Sequence, residues 1–227
     1  MDGLFILIFI AGMAAMAVMM LLCSKKYYGI KKSRIIWLII LCSIAGVLCV
    51  KLMFFIESGN WSGQSYFGAV FFLPVFLILI AWIVRIPYYQ AADLCAPANC
   101  VMLALMKVQC LRAGCCIGRV LWLNKFGEEV RYPSRVTELV FALAIMVFLI
   151  EMMKNEKWRG KIYPLFMIAY GCIRFLLNLT RETEPFLWII PAGNLWSMVS
   201  VAAGYIWLHM LKGKKITAVK KTKVKAK

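Results

Sequence analysis

Residues 162–179 read Ile-Tyr-Pro-Leu-Phe-Met-Ile-Ala-Tyr-Gly-Cys-Ile-Arg-Phe-Leu-Leu-Asn-Leu, an apolar run of bilayer-spanning length with Arg174 well inside it. A cation at that depth costs about 2.5–3.5 kcal/mol even on insertion scales, so a run that keeps one holds it against something polar. Tyr170, Arg174, Asn178 and Arg181 follow one another at spacings of four, four and three, which puts them on one helix face. That face must point into protein or water rather than lipid.

The same pattern recurs outward from this run. Lys51 interrupts the run Ile35–Ile56 and Lys107 the run Ala91–Leu111. The remaining apolar runs are Gly3–Leu22, Gly68–Val84, Val136–Met152 and Trp188–Leu211. With 63% hydrophobic residues in 227 and a mean hydropathy of +0.81, the chain is too apolar for a soluble domain. The expected fold is all-α and polytopic, with seven transmembrane helices in residues 1–211 followed by a basic tail, 212–227. A first run without a basic n-region or small-residue cleavage site reads as a membrane helix rather than a removable leader.

A net charge of +17 raises nucleic acid as a partner, but the cations sit in alternate loops. Lys25, Lys26, Lys31, Lys32 and Arg34 follow the first run; Lys154, Lys157, Arg159 and Lys161 follow the fifth; lysines crowd the tail from Lys212 to Lys227. Under the positive-inside rule these segments are cytoplasmic, and no nucleic acid is implied. The connections 57–67, 112–135 and 180–187 then face outward with the N-terminus. The tail reads as a topology anchor touching anionic lipids.

Depth follows from a helical rise of about 1.5 Å per residue. Lys51, Lys107 and Arg174 lie roughly 8, 6 and 8 Å below the outer ends of their runs, a common level in the outer leaflet. Glu138 enters that level from the start of the fifth run, with Arg181, Glu182 and Glu184 just above. The plain reading of each cation is snorkelling to the interface. Three at one depth beside a carboxylate favour a cationic pocket for a lipid phosphate.

Of the nine cysteines, six lie in or at the ends of apolar runs, where Cys is a small hydrophobe. Cys110, Cys115 and Cys116 cluster in sequence, but Cys-x4-Cys-Cys without a nearby His is a poor zinc spacing, so no metal and no cofactor is expected. A disulfide there stays open. Cys115 and Cys116 otherwise read as small packed residues between Gly114 and Gly118. The one histidine, His209, lies at the far end of the seventh run, away from the cations.

The stretch Lys107-Val-Gln-Cys-Leu-Arg-Ala-Gly-Cys-Cys-Ile-Gly-Arg119 resembles the signature segment of the prolipoprotein diacylglyceryl transferase family. Asp93-Leu-Cys-Ala-Pro97, Tyr132-Pro-Ser-Arg-Val-Thr-Glu138, Tyr170-Gly-Cys-Ile-Arg-Phe175 and Gly193-Asn-Leu-Trp-Ser197 are similar to further family motifs in the same order. The Gly-containing segment Ser62–Gly68 matches another, and Arg181 matches a second family arginine. The chain departs from the pattern at Lys107, which replaces an arginine, at Tyr66 or Phe67 and Tyr132, which replace histidines, and at Asn178, which replaces a glutamate.

The resemblance implies a bacterial inner-membrane enzyme moving a diacylglyceryl group from phosphatidylglycerol to the lipobox cysteine of a prolipoprotein. It assigns Lys107 and Arg174 to the phosphate, with Arg181 and Lys51 in support. Glu138 is the remaining candidate base, its plain alternative being an ion pair with Arg135 or Lys107. Tyr66, Phe67, Cys110, Gly114, Tyr132, Ser134, Tyr170 and Asn178 line the pocket. Two rivals remain: a lipid-binding member without transfer or with another acceptor, and a transporter, against which the two halves show no internal inverted repeat.

Overall fold

An apolar run in hydrocarbon finds no water for its N–H and C=O groups, so it satisfies them internally as helix. The computed structural model, which describes residues 3–181 and 191–212, is accordingly helical along almost every run. Its helices are α1 (Gly3–Cys23), α2 (Lys32–Ser58), α3 (Phe67–Phe71), α4 (Leu73–Val84), α5 (Tyr88–Ala113), α6 (Ser134–Lys154), α7 (Ile162–Asn178) and α8 (Ala192–Met210). A π turn, Ser24–Tyr28, extends α1. Glu182, Glu184, the start of the seventh run at Trp188 and the tail beyond Lys212 lie outside the described residues.

Among the described residues four helical stretches are long and apolar enough to cross a membrane: Ile6–Tyr28, Lys32–Ser58, Tyr88–Ala113 and Ser134–Lys154. α4 and α7 are apolar but shorter. The third expected run is divided because Pro74 has no N–H to return to Val70. Phe72 nevertheless keeps helical dihedrals (φ −89°, ψ −31°), and its N–H bonds the Gly68 carbonyl, so α4 continues directly from α3.

The expected helical membrane architecture holds, with one addition: the connection between α5 and α6 holds a small two-stranded antiparallel sheet, β1 (Val120–Leu123) with β2 (Glu129–Arg131). Its tip closes because Asn124 Oδ1 accepts from the N–H groups of Phe126 and Glu128, both at 2.9 Å.

The packing is that of a membrane protein, apolar outside and mixed within. Trp82 is 77% exposed, while Ser197 and Ser200 are completely buried. α5 is the central helix, touching α1, α4, α6 and α7, and nearly every residue from Gln90 to Cys100 is buried. Where lipid removes the hydrophobic drive, small residues bring backbones close. At Gly171 an added Cβ would stand 2.8 Å from the Ser197 carbonyl, and at Gly204 2.9 Å from that of Pro164, so α7 and α8 meet nearly backbone to backbone.

The start of α5 is a tie point. Asp93 is fully buried and accepts from Tyr28 Oη at 2.6 Å, from the Ile162 N–H at 3.0 Å and from the Gly160 N–H. It joins the end of the first span, α5 and the entry to α7, satisfying helix N-terminal donors that would otherwise be orphaned.

Candidate functional site

At the other end of α5, some 21 Å away by helical rise, three cations meet one carboxylate. Lys107 of α5, Arg174 of α7 and Arg181 beyond it converge on Glu138, which sits in the second turn of α6 and is 4% exposed. Lys107 Nζ lies 2.5 Å from Oε2 and Arg181 Nη2 2.7 Å from Oε1, and Arg174 Nη1 donates to Oε1. Such a cluster can persist away from water only because opposite charges compensate; removing one partner of a buried pair leaves the others stranded.

Arg181 is delivered by backbone rather than by helix. Gly118 pairs with it as an isolated antiparallel bridge, and the Arg119 N–H donates to the Thr180 carbonyl at 2.9 Å. An added Cβ on Gly118 would stand 2.1 Å from the Tyr132 carbonyl and 2.5 Å from Ser134 Oγ, so the α5–α6 connection closes here only around glycine. Arg135 does not pair with Glu138; its Nη1 donates to the carbonyls of Cys110 and Leu111, at the C-terminal end of α5.

Below the cations lies an aromatic wall. Tyr170, one turn from Arg174, meets Tyr66 edge-on at 5.1 Å and Phe67 at 5.6 Å, and Tyr66 Oη donates to the Asn99 carbonyl at 2.7 Å. Behind Tyr66 a cavity of about 280 Å³ opens among α1, α2 and α5, lined mostly by apolar side chains such as Met13 and Met16. Met106 and Gln109, on either side of Lys107 in sequence, also line it, while Lys107 itself turns away toward Glu138.

Several buried polar atoms at this level have no partner among the described residues: Nε of Arg174 and of Arg181, Ser134 Oγ and Asn178 Nδ2. Asn178 is packed against α8, where a Cβ on Gly193 would stand 2.6 Å from its amide nitrogen. Buried donors are ordinarily satisfied, so these four atoms keep unused hydrogen-bonding capacity among the described residues.

Of the expected site residues, the structure brings Lys107, Glu138, Arg174 and Arg181 together, with Tyr66, Phe67 and Tyr170 in contact with one another one turn from Arg174. Cys110 and Gly114 end α5, and Tyr132 and Ser134 lead into α6, all around the same connection. Lys51 stands apart: from within α2 its ammonium donates to the carbonyl of Trp61, in the connection that follows the same helix, at 2.8 Å. Neither the Gly118 bridge nor the Asp93 tie was anticipated. The Asp-x-x-Ala-Pro motif was the only pointer to the latter.

The connection also gathers Cys110, Cys115 and Cys116, whose sulfurs all lie within 4.8 Å of one another. The hydrogen bond shared with the Cys110 sulfur holds the Cys116 thiol well below the usual thiol range; Lys107 and Arg181 act in the same direction and burial opposes them.

The fold and the site define a helical membrane protein in which three cations converge on one buried carboxylate at one end of α5, with an apolar cavity behind Tyr66. The profile of the prolipoprotein diacylglyceryl transferase family matches residues 3–210, and the chain belongs to that family. It is 29% identical over 140 residues to a phosphatidylglycerol–prolipoprotein diacylglyceryl transferase of Bordetella parapertussis, covering 58% of this chain and 53% of that protein. Enzymes of the same name from Methylobacillus flagellatus (27% over 156 residues, 64% and 60% covered) and Pseudoalteromonas translucida (26% over 197 residues, 78% and 73% covered) are also similar. The chain thus spans only a little over half the length of the first of these relatives.

Proposed function

We propose that this chain transfers a diacylglyceryl group from phosphatidylglycerol to the lipobox cysteine thiol of a prolipoprotein, at the outer leaflet of a bacterial cytoplasmic membrane. The observation that carries this reading is the convergence of Lys107, Arg174 and Arg181, with the Nε atoms of both arginines buried and without a partner among the described residues. The acceptor thiolate attacks a glycerol carbon, a C–S bond forms, and the C–O bond to phosphate breaks with its electron pair leaving on glycerol phosphate. Fixed guanidinium and ammonium donors stabilise that growing charge without reorganising. The acyl chains occupy the apolar chamber behind Tyr66.

Glu138 holds the three cations at one point before lipid arrives, and it is the carboxylate nearest to any proton that the acceptor thiol releases. Asn178 and Ser134 supply neutral hydrogen bonds to the headgroup. Seven membrane crossings, the N-terminus outside, the C-terminus cytoplasmic and the division at residue 211 belong to the same reading.

Purified full-length protein in vesicles of phosphatidylglycerol, given a lipobox peptide, tests it: the peptide should gain the mass of one diacylglyceryl group. Complementation in cells depleted of their own transferase should restore precursor modification. Lipid bound at the site with no transfer at any pH would favour the lipid-binding alternative instead.

A further inference from the structure

The poor zinc spacing of Cys-x4-Cys-Cys is answered by how the chain folds. α5 ends at Cys110–Ala113, Gly114 takes φ +66°, and Cys116 takes φ +58°, one of two non-glycine residues with positive φ among those described. These two left-handed residues turn the chain back so that residues 115 and 116 come down on the last turn of the helix. A cysteine held in that conformation is strained, and such strain collects at functional positions. The result is three sulfurs within 4.8 Å, Cys110 Sγ and Cys116 Sγ being 4.0 Å apart. Cys110 and Cys116 are half-buried and Cys115 is exposed, so the cluster is shielded on one side and open on the other.

We propose that Cys110, Cys115 and Cys116 form a trithiolate site for zinc, with its fourth position left open for an incoming thiolate. Zinc–sulfur bonds of about 2.3 Å in a tetrahedron set the sulfurs roughly 3.8 Å apart, so the present arrangement closes on the ion with shifts of about an ångström. Three thiolates and one zinc carry a net charge of −1, which suits the surroundings. Lys107, Arg181 and Arg174 all lie within electrostatic reach of Cys116. A soft, sulfur-only set of donors selects zinc over magnesium or calcium.

The proposal rests on the transferase reading for the identity of the fourth ligand. A thiol that binds zinc gives up its proton to solvent and stays as a thiolate. It then attacks the glycerol carbon beside the cations that receive the phosphate. The thioether formed carries no charge and leaves the metal. This supplies acceptor activation in a chain whose site lacks a histidine.

The test is metal content and cobalt spectroscopy on the full-length protein, purified reduced in detergent without chelator. About one equivalent of zinc is expected, and cobalt substitution should give the intense thiolate-to-cobalt bands of a sulfur-rich tetrahedral site. Cys110→Ser and Cys116→Ser should each lose most of the metal, whereas Cys172→Ser should keep it. A peptide with a lipobox cysteine should shift the cobalt bands, and its serine analogue should not.

Absence of stoichiometric zinc, or zinc retained in Cys110→Ser/Cys116→Ser, overturns the site. So does a Cys110–Cys116 disulfide in protein whose thiols were blocked at lysis. Bands indifferent to the cysteine peptide overturn the open position. Transfer without zinc would reject the metal site and leave the transferase reading; zinc without transfer would do the reverse.

Discussion

Arg174 is the residue on which the proposed phosphate site turns, because it donates to Glu138 through Nη1 while its Nε has no partner among the described residues. Arg174→Ala should lower transfer by about 10²–10³-fold, the scale seen when one fixed charge-stabilising donor is lost. Lys107→Arg keeps the charge and adds a fork, so transfer should be retained. Both are read with peptide and phosphatidylglycerol in vesicles; full activity in Arg174→Ala would end the phosphate assignment. Glu138→Gln strands three cations and should cost stability of about 3–5 kcal/mol, seen as a lower unfolding midpoint in detergent. A midpoint that does not move while transfer falls would make Glu138 a base rather than an anchor. The cations were legible because a charge inside an apolar run advertises itself, and Arg181 because its spacing continues the face of Arg174 and Asn178, although the helix ends at Asn178 and a bridge to Gly118 holds it instead. Lys51 looked equivalent because depth was the only coordinate available. Depth says nothing of direction around the helix, and Lys51 faces Trp61.

At the scale of elements, the site depends on how the connections close. Gly118→Ala puts a Cβ 2.1 Å from a backbone carbonyl that cannot swing away, so the bridge to Arg181 must open. Transfer should fall by about tenfold or more, the effect of a misplaced positioning group, in protein that still inserts in the membrane. Gly114, at a positive φ with open space around it, has no such neighbour to clash with. At the opposite end, Asp93→Ala leaves buried backbone donors of Gly160 and Ile162 unpaired and should lower stability by about 1–3 kcal/mol, again read as an unfolding midpoint. The long apolar runs gave these helices away, since twenty residues of hydrocarbon character have few other solutions. The hairpin was not legible: three paired positions are too few for an alternating pattern, and Leu121, Trp122 and Leu123 are all exposed. The break at Pro74 was visible as a residue, yet its consequence, two helices in one rod, needed the dihedrals.

Over the whole molecule the two ends of α5 differ in charge, and that difference carries the orientation. Tyr28 and Gly160 both bond Asp93, Arg159 stacks over the Tyr27 ring at 5.8 Å, and Arg34 donates to the Arg85 carbonyl. The loops that bear Lys25, Lys26, Lys31 and Lys32 and those that bear Lys157 and Arg159 are therefore gathered at the Asp93 end. At the opposite end Lys107, Arg174 and Arg181 are turned inward against Glu138, and the exposed Arg112, Arg119 and Lys125 of the connection share the surface with exposed Glu128 and Glu129. Basic loops are retained in the cytoplasm, so the Asp93 end should lie inside and the α5–α6 hairpin outside. Gly127, at the hairpin tip with φ +80° and open space where a Cβ would stand, is a place where an insertion should be tolerated. A reporter active only in the cytoplasm should be silent when inserted there and active when fused after Lys227. The reverse result would open the cationic pocket to the inner leaflet, on the side away from secreted precursors, and would leave the proposed acceptor unable to reach it.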